Sequence, residues 1–240
     1  MLPIRLVTLD MAGTTVRDEH EVEHCFARAA AETGLTVSGE RVLALQGYHK
    51  HQVFEMLWTE HLGKDHPEWF DRVEHSYETF TSILENHYLT HPVFPTEGAL
   101  ELFQWLREKD IRIALTTGFY RKVTNIILEK LGWLQGLDAR YIATGARSVI
   151  DVSITSDEVV AGRPEPYMIQ KAMATFGITD PLEVINIGDT PSDLQSGIAA
   201  GCRLSLGVVN GTHSRAQLEA VRSDGLLENV GELVRVIGGV

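Results

Sequence analysis

The sequence predicts an α/β fold with a doubly wound, mostly parallel sheet and an inserted all-helical segment. Short apolar runs alternate with amphipathic stretches after residue 92, and one such run opens the chain. The residues between them carry only helical periodicity. Because strands that alternate with helices are typical of a parallel sheet covered on both faces, we expect a core domain of residues 1–16 and 92–240. The helical domain is expected at residues 17–91.

The predicted elements follow from the spacing of apolar residues. Strands are expected at five short apolar runs, residues 5–10, 111–117, 141–144, 183–189 and 203–209. Helices of the core are expected at residues 97–108, 121–132, 165–176, 191–200 and 215–222. In the inserted segment apolar side chains recur at the i, i+3, i+4, i+7 spacing of a helix, as at Val22, Cys25, Phe26, Ala29 and Ala30.

Composition excludes several classes of function. The formal charge of −12 disfavours a nucleic-acid partner, since such binding depends on Lys and Arg meeting phosphates. The two cysteines, Cys25 and Cys202, are too few for a disulfide framework, and we expect both to be reduced. The sequence contains neither a secretory leader pattern nor an apolar run long enough to span a membrane. These features predict a cytoplasmic protein with no membrane partner.

Polar residues follow four of the predicted apolar segments. They are Asp10, the run Thr116-Thr117-Gly118, the loop that contains Arg163, and Gly188-Asp189. In doubly wound sheets, ligands bind outside the carboxyl ends of the strands. The four groups are therefore expected at one edge of the sheet.

Each of these groups has more than one possible role. Asp10 is a candidate nucleophile or metal ligand, or it only caps the turn that follows. Asp189 and Asp193 lie four residues apart in GDTPSD and can point into one site, where carboxylates suit Mg²⁺; helix capping is the alternative. Thr117 and Arg163 have the chemistry to bind a phosphoryl group, although an arginine in such a loop also occurs in surface ion pairs.

Taken together in this order, the four motifs resemble the haloacid dehalogenase superfamily of phosphohydrolases. The resemblance implies a Rossmann-like core, with the helical insert similar to the type-one cap of that superfamily. It implies that Asp10 is the nucleophile and that Thr117 and Arg163 bind the transferring group. It also implies Mg²⁺ held by Asp10, the backbone carbonyl of Ala12 and Asp189, with Asp193 in support.

One position departs from most phosphatases of that superfamily, which carry a second Asp two residues after the nucleophile. That residue protonates the leaving alkoxide, and here its place holds Ala12. Cleavage of a C–P bond has a different requirement, because the departing carbanion needs an electron sink. A lysine condensed with a neighbouring aldehyde provides one as a protonated imine. The sequence therefore predicts a reactive lysine in the helical segment.

The segment LQGYHKHQVFEML, residues 45–57, contains Gly47 and then Lys50. With DMAGTT and the Arg of AGRP, it resembles the phosphonatase (phosphonoacetaldehyde hydrolase) family. The resemblance implies an imine on Lys50 and suggests a homodimer through the cap. Substrate-binding positions carried over from it are Ala12, Gly13, Gln46, Gly47, Thr116, Gly118 and Phe119.

Three positions differ from the phosphonatase pattern as it stands elsewhere in the family. Gln46 replaces a Met, Val53 a His and Phe119 a Tyr. These positions line the substrate side, so the substrate is left open between phosphonoacetaldehyde and a related compound such as a hydroxylated phosphonoacetaldehyde. Gln46 would then hydrogen-bond the added hydroxyl.

Other functions remain open at this stage. Lys50 is either the imine-forming amine, a plain cation that binds a substrate carboxylate or phosphate, or a solvated surface residue. The first alternative function is a Mg²⁺-dependent phosphomonoesterase such as a phosphoglycolate phosphatase, and the second is a non-catalytic binding protein. His49 and His51 flank Lys50, and at most one of them can face the site, because adjacent helical residues do not share a face.

Overall fold

The computed structural model of the chain describes residues 3–145 and 148–238. Residues 1–2, 146–147 and 239–240, which the predicted core domain includes, lie outside the described residues. Within these ranges, none of the helices combines the length and the apolar character that a membrane crossing requires.

The fold is built on one six-stranded, entirely parallel sheet, which confirms the predicted fold class. Its strands are β1 Leu6–Leu9, β2 Arg112–Thr117, β3 Val152–Thr155, β4 Val184–Gly188, β5 Leu204–Val208 and β6 Gly225–Leu227. Their spatial order is β3-β2-β1-β4-β5-β6. The chain therefore winds outward from β1 in one direction and then returns to wind outward in the other. The reversal lies between β1 and β4, the place where such sheets bind ligands.

Ten α-helices accompany the sheet in the described part of the chain. They are α1 Glu21–Glu32, α2 Gly39–Ala44, α3 Lys50–Leu62, α4 Trp69–Thr90, α5 Ala99–Glu108, α6 Arg121–Lys130, α7 Tyr167–Thr175, α8 Pro191–Ala200, α9 Arg215–Glu219 and α10 Leu233–Gly238. The first four follow one another between β1 and α5, as the sequence predicts.

The central strands are continuous apolar runs because helices cover both faces of the sheet. β1 has the sequence LVTL, and all four of its residues are buried. Leu6 pairs with Arg112 of β2 on one side and with Val184 of β4 on the other. A strand buried on both faces does not alternate between apolar and polar residues, and this pattern made β1, β2 and β4 predictable.

The prediction of a strand at residues 141–144 was wrong. Ile142 and Ala143 form only isolated antiparallel bridges, the first of them to Val152. The third strand is instead the run VSIT, Val152–Thr155, whose four residues are all buried. It was the better candidate physically, since Val, Ile and Thr are β-branched and fit a buried pleated surface. The three-residue edge strand β6 was not predicted.

Helices α1 to α4 have an aromatic centre of their own. The rings of Phe26 and Phe54 stack with centroids 4.4 Å apart, and Phe80 lies 5.6 Å from Phe26. Buried polar groups around them are paired, since the Trp58 indole donates to Ser76 Oγ at 2.9 Å. These contacts are those expected of a compact helical unit. The division into a cap and a core stays a prediction.

The loop between α2 and α3 rests on the carboxyl edge of the sheet. Ser192 Oγ donates to the Gln46 carbonyl at 3.3 Å. Gly47 has φ +81°, and a Cβ added there would lie 2.2 Å from Ser192 Oγ. On the other side, a Cβ on Gly118 would lie 2.6 Å from the Gly47 carbonyl oxygen. Only glycines at both positions allow this approach.

We predict that Gly47→Ala releases the loop from the sheet edge. The added methyl group meets Ser192 and Thr190, and the positive φ adds strain of roughly 1–2 kcal/mol. Amide hydrogen exchange over residues 45–50 should therefore become faster.

Gly63→Ala is the matched control for that variant. Gly63 has nearly the same φ, +84°, but its added Cβ would meet nothing within 4 Å. It carries the backbone strain without the clash and should leave exchange in residues 45–50 unchanged. Equal effects of the two variants on that loop would show that the contact with Ser192 does not hold it.

Candidate active site

The first strand delivers Asp10 to the carboxyl edge of the sheet. Its backbone N–H donates to Ile187 of β4 at 2.9 Å, so it still follows the sheet register. The chain then turns tightly, and the N–H groups of Thr14 and Thr15 both donate to the Met11 carbonyl. Within this turn Gly13 has φ +88°, and a Cβ added there would lie 2.3 Å from Asp189 Oδ2. The turn thereby brings the backbone against the second carboxylate.

Arg163 binds two carboxylates from beneath the site. Its guanidinium is 3% exposed, and Nη1 lies 2.5 Å from Asp10 Oδ1 and 2.8 Å from Asp193 Oδ1. Nη2 donates to both the carbonyl and the hydroxyl oxygen of Thr116, at 2.9 and 2.7 Å. Thr116 thus orients the arginine. The sequence alternative of a surface ion pair is excluded by this burial.

Asp189 and Asp193 follow β4 and are fixed by hydroxyl and backbone donors. Asp189 Oδ1 accepts from Thr14 Oγ1 at 3.0 Å, and Oδ2 accepts from the N–H and Oγ1 of Thr212 at 2.8 and 2.7 Å. Asp193 Oδ2 accepts from the Thr190 N–H and Oγ1 at 3.0 and 2.6 Å, which forms the capping box of α8. Asp193 caps its helix and still presents Oδ1 to the site.

The three carboxylates fit a hard divalent cation. One oxygen from each of Asp10, Asp189 and Asp193 lies within 4.8 Å of the others, and all three residues are buried. Asp193 Oδ1 accepts no well-directed hydrogen bond from the described residues, although Arg163 lies nearby. Since one guanidinium balances only one of the three negative charges, the site has an excess of negative charge. Carboxylate oxygens are the ligands that Mg²⁺ prefers.

The pKa values of these carboxyl groups reflect the same excess. Burial raises the pKa of Asp10 to about 8, against the opposing pull of Arg163 and with a further rise from Asp193 and Asp189. Burial and the neighbouring Asp193 raise the pKa of Asp189 to about 6, while Thr212 opposes the shift. A bound cation would favour the ionised forms that its ligands require.

Lys50 reaches the site from the helical segment. It is the first residue of α3, is 6% exposed, and lines the same cavity as Asp10 and Thr117. Its amine makes no hydrogen bond or ion pair to any residue in the described ranges. Burial, together with Arg163, lowers the pKa of Lys50 to about 8, although Asp10 and Asp18 act in the opposite direction. This excludes the solvated surface role.

The cavity between the helical segment and the sheet edge is small, about 30 Å³. Most of the predicted site residues line it. The lining comprises Asp10, Ala12, Asp18, Val22, Gln46, Gly47, Lys50, Thr117, Gly118, Phe119, Thr190 and Thr212. Of the other predicted residues, Gly13 and Thr116 adjoin lining residues in the chain, and Arg163, Asp189 and Asp193 contact the lining residues Asp10, Thr212 and Thr190.

The sequence did not single out Asp18, Thr190 or Thr212. Thr212 follows β5, a predicted strand, and the polar run NGTH at its carboxyl end was a usable signal. Asp18 stands just before a predicted helix, where an aspartate is usually a helix cap. In the structure it does accept a hydrogen bond from the Glu21 N–H at 2.9 Å. His49 and His51 do not line the cavity, and His51 Nε2 lies 2.6 Å from Glu74 Oε1.

Known proteins are similar to this chain in sequence and in fold. A family model for haloacid dehalogenase-like hydrolases matches residues 4–201. A phosphonoacetaldehyde hydrolase of Bacteroides fragilis is 28% identical over 233 residues, which is 91% of this chain and 81% of that protein.

Two solved structures have the same fold. A hydrolase from Pseudomonas syringae superposes with a TM-score of 0.80 at 18% identity, covering 98% of this chain and 99% of that one. A phosphonoacetaldehyde hydrolase-like protein from Oleispira antarctica gives 0.76 at 19% identity, covering 99% and 92%. The family model spans Asp10, Thr117, Arg163 and Asp189. The chain therefore belongs to the haloacid dehalogenase-like hydrolases.

Proposed function

We propose that this hydrolase cleaves the C–P bond of phosphonoacetaldehyde or a close 2-oxoethylphosphonate, with Asp10 as nucleophile and Lys50 as the imine-forming amine. The observation that carries the proposal is buried Lys50, which lines one cavity with Asp10 and Ala12 and whose amine pairs with no residue in the described part of the chain. That cavity combines an amine nucleophile with a carboxylate nucleophile. The relatives named phosphonoacetaldehyde hydrolase support the same assignment.

Lys50 activates the substrate at its aldehyde. With a pKa of about 8, roughly a tenth of this amine is neutral at pH 7. The neutral amine adds to the aldehyde carbon, water leaves, and a protonated imine remains on Lys50. The positively charged C=N group of this imine is the electron sink that C–P cleavage requires.

Asp10 then attacks phosphorus. Its carboxylate oxygen forms a bond to phosphorus while the electron pair of the C–P bond moves into the imine, leaving an enamine on Lys50 and an aspartyl phosphate. The enamine takes a proton on carbon, and water releases acetaldehyde from the lysine. A second water hydrolyses the aspartyl phosphate to phosphate. No alkoxide leaves, so an acid at the position of Ala12 is not needed.

The remaining residues bind and orient the phosphonyl group. Arg163 already holds Asp10 Oδ1 at 2.5 Å, which fixes the direction of the carboxylate. The Thr117 hydroxyl and the backbone at Gly118 face the cavity and are placed to meet the phosphonyl oxygens. Thr116 acts through Arg163. Preorganised donors of this kind stabilise charge that shifts during phosphoryl transfer.

Asp10, Asp189 and the Ala12 carbonyl would hold Mg²⁺, with Asp193 supporting the ion from the α8 cap. When bound, the ion supplies positive charge that offsets the repulsion between the phosphonyl oxygens and the Asp10 carboxylate. Asp193 also pairs with Arg163 at 2.8 Å and so links the metal ligands to the group that orients Asp10.

The cavity requires the loop at residues 45–50 to move during each turnover. At about 30 Å³ it has room for about two water molecules and not for a phosphonate. Lys50 lies on the loop that contacts the sheet edge, and Asp10 lies on the sheet edge itself. Opening therefore admits substrate, and closure brings the two covalent catalysts together.

One observation favours a second candidate function, a Mg²⁺-dependent phosphomonoesterase such as a phosphoglycolate phosphatase. Asp18 lines the cavity beside Asp10, and burial together with Glu21 raises the pKa of its carboxyl group well above the usual range. A protonated Asp18 would replace the acid that is missing at Ala12. In that case Lys50 serves as a cation for the substrate.

We predict that Lys50→Arg abolishes phosphate release from phosphonoacetaldehyde. Arginine keeps the positive charge but cannot form the imine, so kcat/KM should fall on the order of a thousandfold or more. Phosphate release is measured with Mg²⁺ present, and Lys64→Arg, an exposed lysine outside the cavity, is the control. Turnover of phosphoglycolate but not of the phosphonate by the wild type would support the phosphomonoesterase instead.

A second prediction concerns the pH dependence of imine formation. The neutral fraction of the Lys50 amine should rise as the pH approaches about 8 and then level off. The neutral fraction of an amine with the usual pKa of 10.5 continues to rise. Reductive alkylation with acetaldehyde and cyanoborohydride, scored by peptide mass, measures this. Free Nα-acetyl-lysine, labelled in the same reaction, is the internal reference that corrects for the pH dependence of the reductant. The ratio of Lys50 to reference labelling should fall above pH 8, and a constant ratio would mean that burial does not lower the pKa.

A third prediction concerns the residues that hold Asp189. Thr212→Val removes the hydroxyl donor to Asp189 Oδ2 and should weaken Mg²⁺ binding by about tenfold, as the loss of other residues that orient metal ligands does. Calorimetric titration with Mg²⁺ and the Mg²⁺ dependence of activity both report it. Thr175→Val, which removes a hydroxyl bonded to Lys171 on α7, is the control. Unchanged Mg²⁺ affinity in Thr212→Val would place the ion away from Asp189.

A further inference from the structure

The carboxamide of Gln46 is buried without a partner. The residue is 7% exposed, and neither Oε1 nor Nε2 makes a hydrogen bond within the described part of the chain. Its backbone is nevertheless fixed, since its N–H donates to Leu43 at 3.1 Å and its carbonyl accepts from Ser192 at 3.3 Å. Burying an unpaired amide destabilises a folded protein. Gln46 therefore holds a costly group in place at the cavity wall.

A plain 2-oxoethylphosphonate leaves this amide unused. Its phosphonyl oxygens meet Arg163, Thr117 and the backbone at Gly118, and its aldehyde carbon meets Lys50. The carbon between them carries only hydrogen. In the dianionic phosphonate the oxygens accept hydrogen bonds but do not donate them, so they cannot satisfy the Gln46 Oε1 acceptor.

We propose that Gln46 recognises a hydroxyl group on the carbon between phosphorus and the aldehyde, so that the substrate class is the 1-hydroxy-2-oxoethylphosphonates. The inference rests on the proposed C–P bond hydrolysis. A hydroxyl group donates one hydrogen bond and accepts others. It donates to Oε1 and accepts from Nε2 of the same carboxamide, and this satisfies both buried atoms. Gln46 lies four residues before Lys50 and lines the same cavity.

The reaction balances with this substrate. Lys50 forms the imine at the aldehyde with loss of water, and Asp10 takes the phosphonyl group as the C–P electron pair moves into the imine. Protonation of the resulting enamine at carbon and hydrolysis of the imine release glycolaldehyde. Hydrolysis of the aspartyl phosphate releases phosphate. One water is consumed overall, and the hydroxyl group remains on the aldehyde product.

The test compares kcat/KM for two substrates, 1-hydroxy-2-oxoethylphosphonate and phosphonoacetaldehyde, in three proteins. The wild type should prefer the hydroxylated substrate by about ten- to a hundredfold, since binding the unsubstituted one leaves the amide unpaired. Gln46→Met keeps the length of the side chain and removes its polar atoms, so this preference should fall to near unity. Gln52→Met, an exposed glutamine on α3, should keep it.

The possible results separate this inference from the proposed function. If the wild type cleaves phosphonoacetaldehyde as well as or better than the hydroxylated compound, the inference is overturned and the proposed function stands. A preference that survives in Gln46→Met also overturns it, because another group then recognises the hydroxyl. An equal loss on both substrates would mean that Gln46 contacts the phosphonyl group or the imine.

Two further results complete the test. Cleavage of neither phosphonate, with turnover of phosphoglycolate, removes the proposed function and this inference together. Should Gln46→Met not fold, the wild-type ratio alone still decides, and Gln46→Leu repeats the comparison.

Discussion

The site is governed by the burial of three carboxylates around a single guanidinium. Arg163 contacts Asp10 and Asp193 through the same Nη1 atom, at 2.5 and 2.8 Å, while Asp189 is held only by neutral donors. Buried like charges repel one another strongly because the interior screens them poorly. The arrangement therefore favours a further cation nearby, and the three buried carboxylates are compatible with a metal site at this edge of the sheet.

The small residues of the surrounding motifs follow from that crowding. A Cβ on Gly13 or on Gly211 would lie 2.3 Å from an atom of the Asp189 side chain, and a Cβ on Gly188 would lie 2.2 Å from Asp193. Three separate loops thus use glycine to bring backbone close to the carboxylates. Hydroxyl groups fill the remaining positions, since they donate hydrogen bonds without adding charge. The Gly and Thr of DMAGTT, GDTPSD and NGTH have this common physical reason.

Much of the candidate site could be predicted from the sequence, because the carboxyl ends of parallel strands lie at one edge of the sheet. The apolar runs that end at Asp10, Thr117 and Asp189 are unambiguous. The third strand was misplaced because two short apolar runs, at residues 141–144 and 152–155, lie close together and local spacing does not say which pairs with β2. The run NGTH after a predicted strand indicated the sheet edge, but the threonine alone does not indicate which side chain it contacts.

What the sequence could not predict depends on contacts between distant segments. Gln46 is polar and lies in a loop, and nothing in its neighbourhood indicates burial. Its unpaired state arises because Gly47 lets the loop settle against Ser192 and Gly118. The same contact carries Lys50 to the cavity, which Asp18 also lines. Local patterns identify residue types, whereas the protonation and pairing of these groups follow from the tertiary contact.

That contact also links the reactivity of Lys50 to the arrangement of the whole site. Burial and Arg163 lower the pKa of the amine, while Asp10 and Asp18 oppose the shift. With the loop away from the sheet edge, both burial and proximity to Arg163 are lost, and the amine returns toward its ordinary, protonated state. Under the proposed function, a reactive lysine then exists only when the loop is closed over Asp10. Because an exposed neutral amine reacts with aldehydes in solution, this coupling favours imine formation with an aldehyde enclosed in the cavity beside Asp10.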